Sequence, residues 1–221
     1  IIRNNKQSGI SIDDSDLNIF SHNVITENQL TGILSGGVKN IISANLILNN
    51  SFQGILASYN LFDTIANNII SNNGNEGVSI SGNHIAITNN TISNNNDEGL
   101  VLSESSYSNV LNNTFFNNKG YGILLNDFTQ NAIVSGNNFT RNNAMGGSQA
   151  ADTGRNNIFD DNFWDDWTPT SSPYPIDLSV NYHRNTYTKE FTLPPNVIIG
   201  AFFLVAILSA LILIIRKQKS Y

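Results

Sequence analysis

Large apolar residues and asparagines recur together along the first three quarters of this chain, in a step of about 22 to 25 residues. Three stretches show the formula: NNIISNNGNEGVSI (Asn67 to Ile80), NNTISNNNDEGLVL (Asn89 to Leu102) and NNTFFNNKGYGILL (Asn112 to Leu125). One apolar column holds Ile25, Ile47, Ile70, Ile92, Phe115, Phe139 and Trp164; a second holds Phe20, Ile42, Ile65, Ile87, Val110, Val134 and Phe159. Glycines form a third (Gly9, Gly32, Gly54, Gly77, Gly99, Gly122), each followed by an apolar residue from Ile10 to Ile123. The period lies in the solenoid range. Alternation such as Ile10/Ile12 and Leu100/Leu102 suits strands, and no repeat has room for an amphipathic helix. The pattern therefore predicts three short strands per repeat, stacked coil on coil over residues 1–167.

The polar columns are as regular. Asn23, Asn45, Asn68, Asn90, Asn113, Asn137 and Asn162 form one; five places later come Asn28, Asn50, Asn73, Asn95, Asn118 and Asn142. Asparagine makes up about one residue in six, too few to fill such columns by chance. At a corner, an inward asparagine is expected to take the left-handed backbone conformation and to link neighbouring coils through its amide. Asparagine-rich disorder lacks such an apolar pattern. The Leu-x-x-Leu-x-Leu strand of leucine-rich repeats and the hexapeptide rhythm of left-handed β-helices are both missing.

This glycine–apolar–asparagine repeat resembles the right-handed parallel β-helix repeat of the pectin-lyase-like superfamily, most of all its NosD-type and carbohydrate-binding-and-sugar-hydrolase domains. DNFWDDWT (Asp161 to Thr168) followed by PYPID (Pro173 to Asp177) is similar to the segment that closes many NosD-type domains. The resemblance implies an all-β, right-handed, single-stranded parallel β-helix of about seven coils. It also implies polysaccharide chemistry or periplasmic copper delivery, although function has to be argued from a site rather than a fold.

All five prolines follow Trp167, so residues 168–196 read as a cap and stalk. The uncharged run VIIGAFFLVAILSALILII (Val197 to Ile215) has the length of a membrane-spanning helix. Arg216, Lys217 and Lys219 follow it, so positive-inside logic puts the tail 216–221 in the cytoplasm and the β-helix outside, as a single-pass membrane protein. A removable anchoring signal shares this layout, though TLPPN carries no LPxTG motif. IIRNNKQSGI aligns with VITENQLTGI (Val24 to Ile33), so the sequence opens inside a coil, and upstream coils, a cap and a signal peptide are expected before it.

Charged residues make up 13% of the 221 residues, the formal net charge is -6 and cysteine is absent. No basic stripe exists to bind nucleic acid, and disulfides and thiolate metal sites are excluded. Copper(I) would want Cys or Met, but there is one Met, and the three histidines (His22, His84, His183) fall in separate columns. His84, in GNHIAI, is placed on a strand.

Glycoside hydrolysis needs two carboxyl groups a few ångströms apart, and lyases need a base with charge neutralisation by Ca²⁺ or Arg. Counted from the glycines, Glu104 and Asp127 share a column, as do Glu76 and Glu98, each one residue before its glycine. Either pair is a candidate for a cation, with Ca²⁺ the one that suits carboxylates, or for acid–base work. Solvated turn residues are the plainer reading. No Arg or Lys stacks beside them, and the paired-Asp, Gly-His-Gly and Arg-Ile-Lys motifs of polygalacturonases are absent. Asp13, Asp14 and Asp16 lack the glycine and distal glutamate of an EF-hand. In the resembling families an Asp- and Gly-rich loop often follows the Trp segment; here it is only TPTSS. Trp167 is a candidate sugar platform or an end cap. Sequons occur at Asn49, Asn89, Asn112 and Asn138.

These features lead to the expectation of a non-catalytic surface module that binds polysaccharide or a surface protein, without a cofactor. A β-helix lyase or hydrolase is the alternative.

Overall fold

The computed structural model describes residues 1–167 and 175–176. The expected cap and stalk (168–196) fall almost wholly outside these residues, and the membrane helix (197–215) and basic tail (216–221) wholly so. Among the described residues no helix is long and apolar enough to cross a membrane.

Twenty-two short strands wind into a parallel β-helix of three sheets, with eight, seven and seven strands. Sheet 1 holds the strands that follow the glycines, from Ile10–Ser11 to Ala150–Asp152. Sheet 2 runs from Ile19–Ser21 to Ile158–Asp160, and sheet 3 from Ile2–Arg3 to Phe163–Trp164. Every pairing joins residues one repeat apart, such as Ile70 with Ile92 and Ile87 with Val110, so each sequence column becomes a line along the axis. The apolar columns fill the bore: Ile25, Ile47, Ile70 and Ile92 are fully buried. Towards the C-terminal end the same column turns aromatic, with Phe115, Phe139 and Trp164 stacked at centroid distances of 4.9 and 4.2 Å. Buried Ala132 and Ala150 occupy facing columns at that end, where the larger rings need room.

Both predicted asparagine columns are continuous hydrogen-bonded ladders. Asn90 Oδ1 accepts the backbone N–H of Asn68 at 2.9 Å and its Nδ2 at 3.0 Å. The Nδ2 of Asn90 donates to Ile65 O at 2.8 Å and to Asn113 Oδ1 at 3.0 Å. Each amide therefore bonds in both directions along the rod and leaves no donor or acceptor open. The second ladder ends differently: Asn142 donates to Gln149 Oε1 within its own coil, and Gln149 Nε2 donates to Asp165 and Asp166. The acidic residues of the DDW segment thus cap a ladder.

One expectation is corrected. The left-handed residue at each corner is not the inward asparagine but the residue before it: Asn67 (φ 57), Asn89 (φ 55) and Asn112 (φ 56) precede Asn68, Asn90 and Asn113. The turn is made by the outward residue, which leaves the next amide aimed into the bore. The glycines answer a different need. A Cβ on Gly77 would lie 2.5 Å from Ile92 Cγ2 and 2.7 Å from Asn95 Nδ2, so only glycine lets the chain pass the second ladder.

A third corner, between sheets 1 and 2, has no continuous ladder. Its inward column reads Asn18, Asn40, Asp63, Ile85, Ser108, Ala132, Asn157. Asn40 N–H donates to Asp63 Oδ1 at 2.9 Å and Asn60 Nδ2 donates to Asp63 Oδ2, but Ile85 cannot carry the chain of amides further. Burial raises the Asp63 carboxyl above its ordinary value, against those hydrogen bonds.

Replacing Asn90 by Ala removes four buried hydrogen bonds, and should lower stability by roughly 3–5 kcal/mol in urea unfolding. Asn89→Ala, one residue earlier, keeps every ladder bond and should cost about 1 kcal/mol through its left-handed backbone. Equal losses would overturn the ladder as the main restraint.

Candidate functional site

The outer face of sheet 1 is bounded by two corners, and the chemistry-bearing side chains gather at these edges. Where sheet 3 leads into sheet 1, the residues before the glycines form an outward column. Thr31 Oγ1 donates to Gln53 Oε1 at 3.3 Å and Gln53 Nε2 to Glu76 Oε2 at 3.0 Å. The next member is Glu98, so the structure brings the predicted pair Glu76/Glu98 together. It adds Asp97, which a column count passes over because it sits one place earlier. Glu76, Asp97 and Glu98 each place a carboxylate oxygen within 4.8 Å of the others.

Three carboxyl groups this close cannot all ionise freely. Burial raises the Glu98 carboxyl to about 7; its hydrogen bond to Asp97 and the negative charges of Asp97 and Glu76 push the same way. Glu98 therefore keeps a proton and donates it towards Asp97 near neutrality. The same oxygens suit Ca²⁺, which takes six to eight oxygen ligands and would need water for the remainder.

The other edge is the third corner, where sheet 1 turns into sheet 2. Glu104 and Asp127 are both exposed here, but they do not share a backbone position. Glu104 (φ 49) precedes buried Ser105, whereas the residue that precedes buried Thr129 with positive φ is Phe128 (φ 66). An extra residue in the Asn126–Thr129 turn displaces Asp127 from the count.

This corner carries a feature that the column reading missed. Its second outward left-handed position holds Phe62, His84 and Tyr107 in successive coils, with φ of 59°, 56° and 56°.

 The three rings stack along the axis at centroid distances of 4.9 and 5.4 Å. His84 is therefore the first residue past its strand (Val78–Asn83) rather than a strand residue, because the corner begins one place earlier than alternation suggests. The first outward left-handed position holds Tyr59, Glu104 and Phe128, and Tyr59 and Phe128 are 88% and 77% exposed. Between the two aromatic columns run Asn83, Ser106 and Gln130, where Asn83 Oδ1 accepts the Ser106 N–H at 2.8 Å and Gln130 Nε2 donates to Ser106 Oγ at 3.3 Å.

The remaining candidates separate. Trp167 packs half-buried against the end of the core, as an end cap does. Among the sequons, Asn49, Asn89 and Asn112 are exposed at left-handed positions, while Asn138 is buried in a strand. Asp16 accepts the Val38 N–H at 2.8 Å, a structural role for one member of the Asp13, Asp14, Asp16 group.

The family model described as right handed beta helix region matches residues 1–139 and again 57–177. Among solved structures, the mannuronan C-5 epimerase AlgE4 A-module of Azotobacter vinelandii superposes with a TM-score of 0.59 at 17% identity, over 69% of this chain and 46% of that one. The AlgE6 A-module of the same organism gives 0.55 at 17%, over 68% and 39%. The periplasmic alginate epimerase AlgG gives 0.57 at 19%, over 77% and 45%. This chain thus spans less than half the length of each. No curated protein sequence matches.

The Glu98 proton makes stability depend on pH. The folded carboxyl holds its proton to about 7, the unfolded one only to its ordinary 4.5, so stability is fully present below 4.5 and falls as pH rises through 7. Glu98→Gln should flatten that slope in thermal melts between pH 4.5 and 7.5. An unchanged slope would show that the triad does not share a proton.

Proposed function

Because the chain belongs to the right-handed β-helix family, we propose that it works as a rigid rod displaying a polysaccharide-binding edge, without chemistry of its own. The observation that carries this reading is the third corner, where exposed rings flank a column of amide and hydroxyl groups. Such a mixture of apolar rings and a few placed polar groups suits sugars, whose rings have apolar faces and hydroxyl rims. The epimerases named above are described as acting on mannuronan or alginate, but a likeness of this kind carries the fold alone. The apolar run from Val197 to Ile215 and the basic residues after it support a membrane anchor with the rod outside the cell.

One observation favours an enzyme as the second reading. Glu76, Asp97 and Glu98 gather three carboxyl groups within 4.8 Å of one another with one proton held to about 7, a protonated acid beside ionised partners. In that reading Glu98 is the acid, and Glu76 or Asp97 the ionised partner.

The test incubates the full chain, in mild detergent, with a panel of polysaccharides, following retention on the polymer and the appearance of new chain ends. Retention without new ends is expected. New ends that vanish in Glu98→Gln would establish the enzyme; neither retention nor ends would remove the carbohydrate reading and point to a protein partner.

A further inference from the structure

The third corner differs from the other two in what it places at left-handed positions. Elsewhere these are mostly asparagine, the residue that tolerates this backbone best, as at Asn67, Asn72, Asn89 and Asn94. In the middle coils of the third corner Tyr59, Phe62, Tyr107 and Phe128 stand there instead, and asparagine returns at Asn131 and Asn156. A bulky aromatic at positive φ is strained, and an exposed one gains little from burial. Asparagine would relieve both problems at once. Strain kept in place on an exposed surface, in three of four consecutive coils, is the mark of a working surface.

The rings fall into two groups. Phe62, His84 and Tyr107 spend their inner faces on one another and present edges. Among the described residues, the rings of Tyr59 and Phe128 stack on no other ring, so their faces remain open. They lie three coils apart, about 14 Å along the axis at the ~4.8 Å strand spacing, a length that a short run of sugars covers.

Charge narrows the ligand. Corner residues 58–62, 81–84, 103–107 and 126–131 include Glu104 and Asp127 but no Lys or Arg; Lys39 stands one coil before Phe62 and Arg155 one coil after Gln130, at the two ends of this stretch. Residues 1–167 carry fifteen acidic and six basic side chains. Between those two end cations the surface is acidic and gives a polyanion no counter-charge at the four platform coils, while the amides of Asn83 and Gln130 and the Ser106 hydroxyl suit uncharged hydroxyl groups.

We propose that the corner takes an uncharged polysaccharide laid along the rod axis, with Tyr59 and Phe128 as its two stacking platforms. The proposal rests on the carbohydrate-binding reading above and departs from the acidic polymer that the epimerases' names imply.

The experiment measures retention of the full chain on an uncharged β-glucan, mannan and galactan and on alginate and pectate as polyuronates. It is run at about 10 mM salt, where the Debye length is about 30 Å and repulsion is unscreened. Tyr59→Asn and Phe128→Asn keep the left-handed backbone comfortable, so unfolding midpoints should hold or rise. Each should weaken binding to the uncharged polymer roughly tenfold, and the pair roughly a hundredfold. Phe52→Asn, on another corner, should leave binding unchanged. Stronger retention on the polyuronates would overturn the ligand class and leave the carbohydrate reading standing. Full binding by the double variant would overturn the two platforms. Retention on no polymer would overturn this proposal and that reading together.

Discussion

The amide ladders are the constraint on which the rest of this rod depends. A buried polar group must find partners, and an asparagine amide stacked on its own kind finds all of them in the coils before and after. The requirement is geometric as well as chemical. Five residues separate the first ladder from the second in every complete coil, and four separate the second from the glycine in all but the last. There the interval widens to seven, and Gln149 substitutes for the missing amide. An insertion within either interval would move an asparagine out of line and strand its neighbours.

Before that last coil, variation in coil length is expelled to the one corner without a continuous ladder. Eight residues run from Gly77 to Ile85, nine from Gly99 to Ser108 and ten from Gly122 to Ala132. The register shifts in sheet 1, at Gly36/Val38 and Ile80/Gly82, lie on the approach to this corner. The same freedom from amide chemistry admits aromatic residues to its outward positions. Two corners hold the rod together and the third is free to vary, the usual division between a scaffold and its loops.

What the sequence discloses follows from this division. Columns that must repeat one residue type are legible, which is why both ladders, the glycines and the apolar bore emerge from Asn23, Gly32, Ile47 and their relatives. The handedness of individual residues is not, because Asn67-Asn68 and Asn89-Asn90 pair two asparagines with opposite duties and one spelling. Nor is the third corner, since counting from the glycines fails once an extra residue enters the turn before Thr129. One signal was available: Phe62, His84 and Tyr107 lie 22 and 23 residues apart, the step of the ladders themselves. Asp97 is hidden for a simpler reason, because it joins Glu76 and Glu98 from the neighbouring position rather than from their column.

The two edges of sheet 1 cannot combine into one hydrolytic centre. Glu98 and Glu104 stand at opposite ends of an extended strand, and six residues at ~3.3 Å each put them about 20 Å apart. The widest carboxyl separation that serves an inverting glycosidase is about 9.5 Å. A sugar bond cannot be protonated from one corner and attacked from the other. Among the described carboxyls of these two edges, hydrolysis would therefore fall within Glu76, Asp97 and Glu98, on the edge that lacks the aromatic platforms. A polymer seated on Tyr59 and Phe128 runs along the far edge, out of reach of those carboxyls, and this separation is the physical reason that binding and cleavage are competing accounts here rather than two halves of one mechanism.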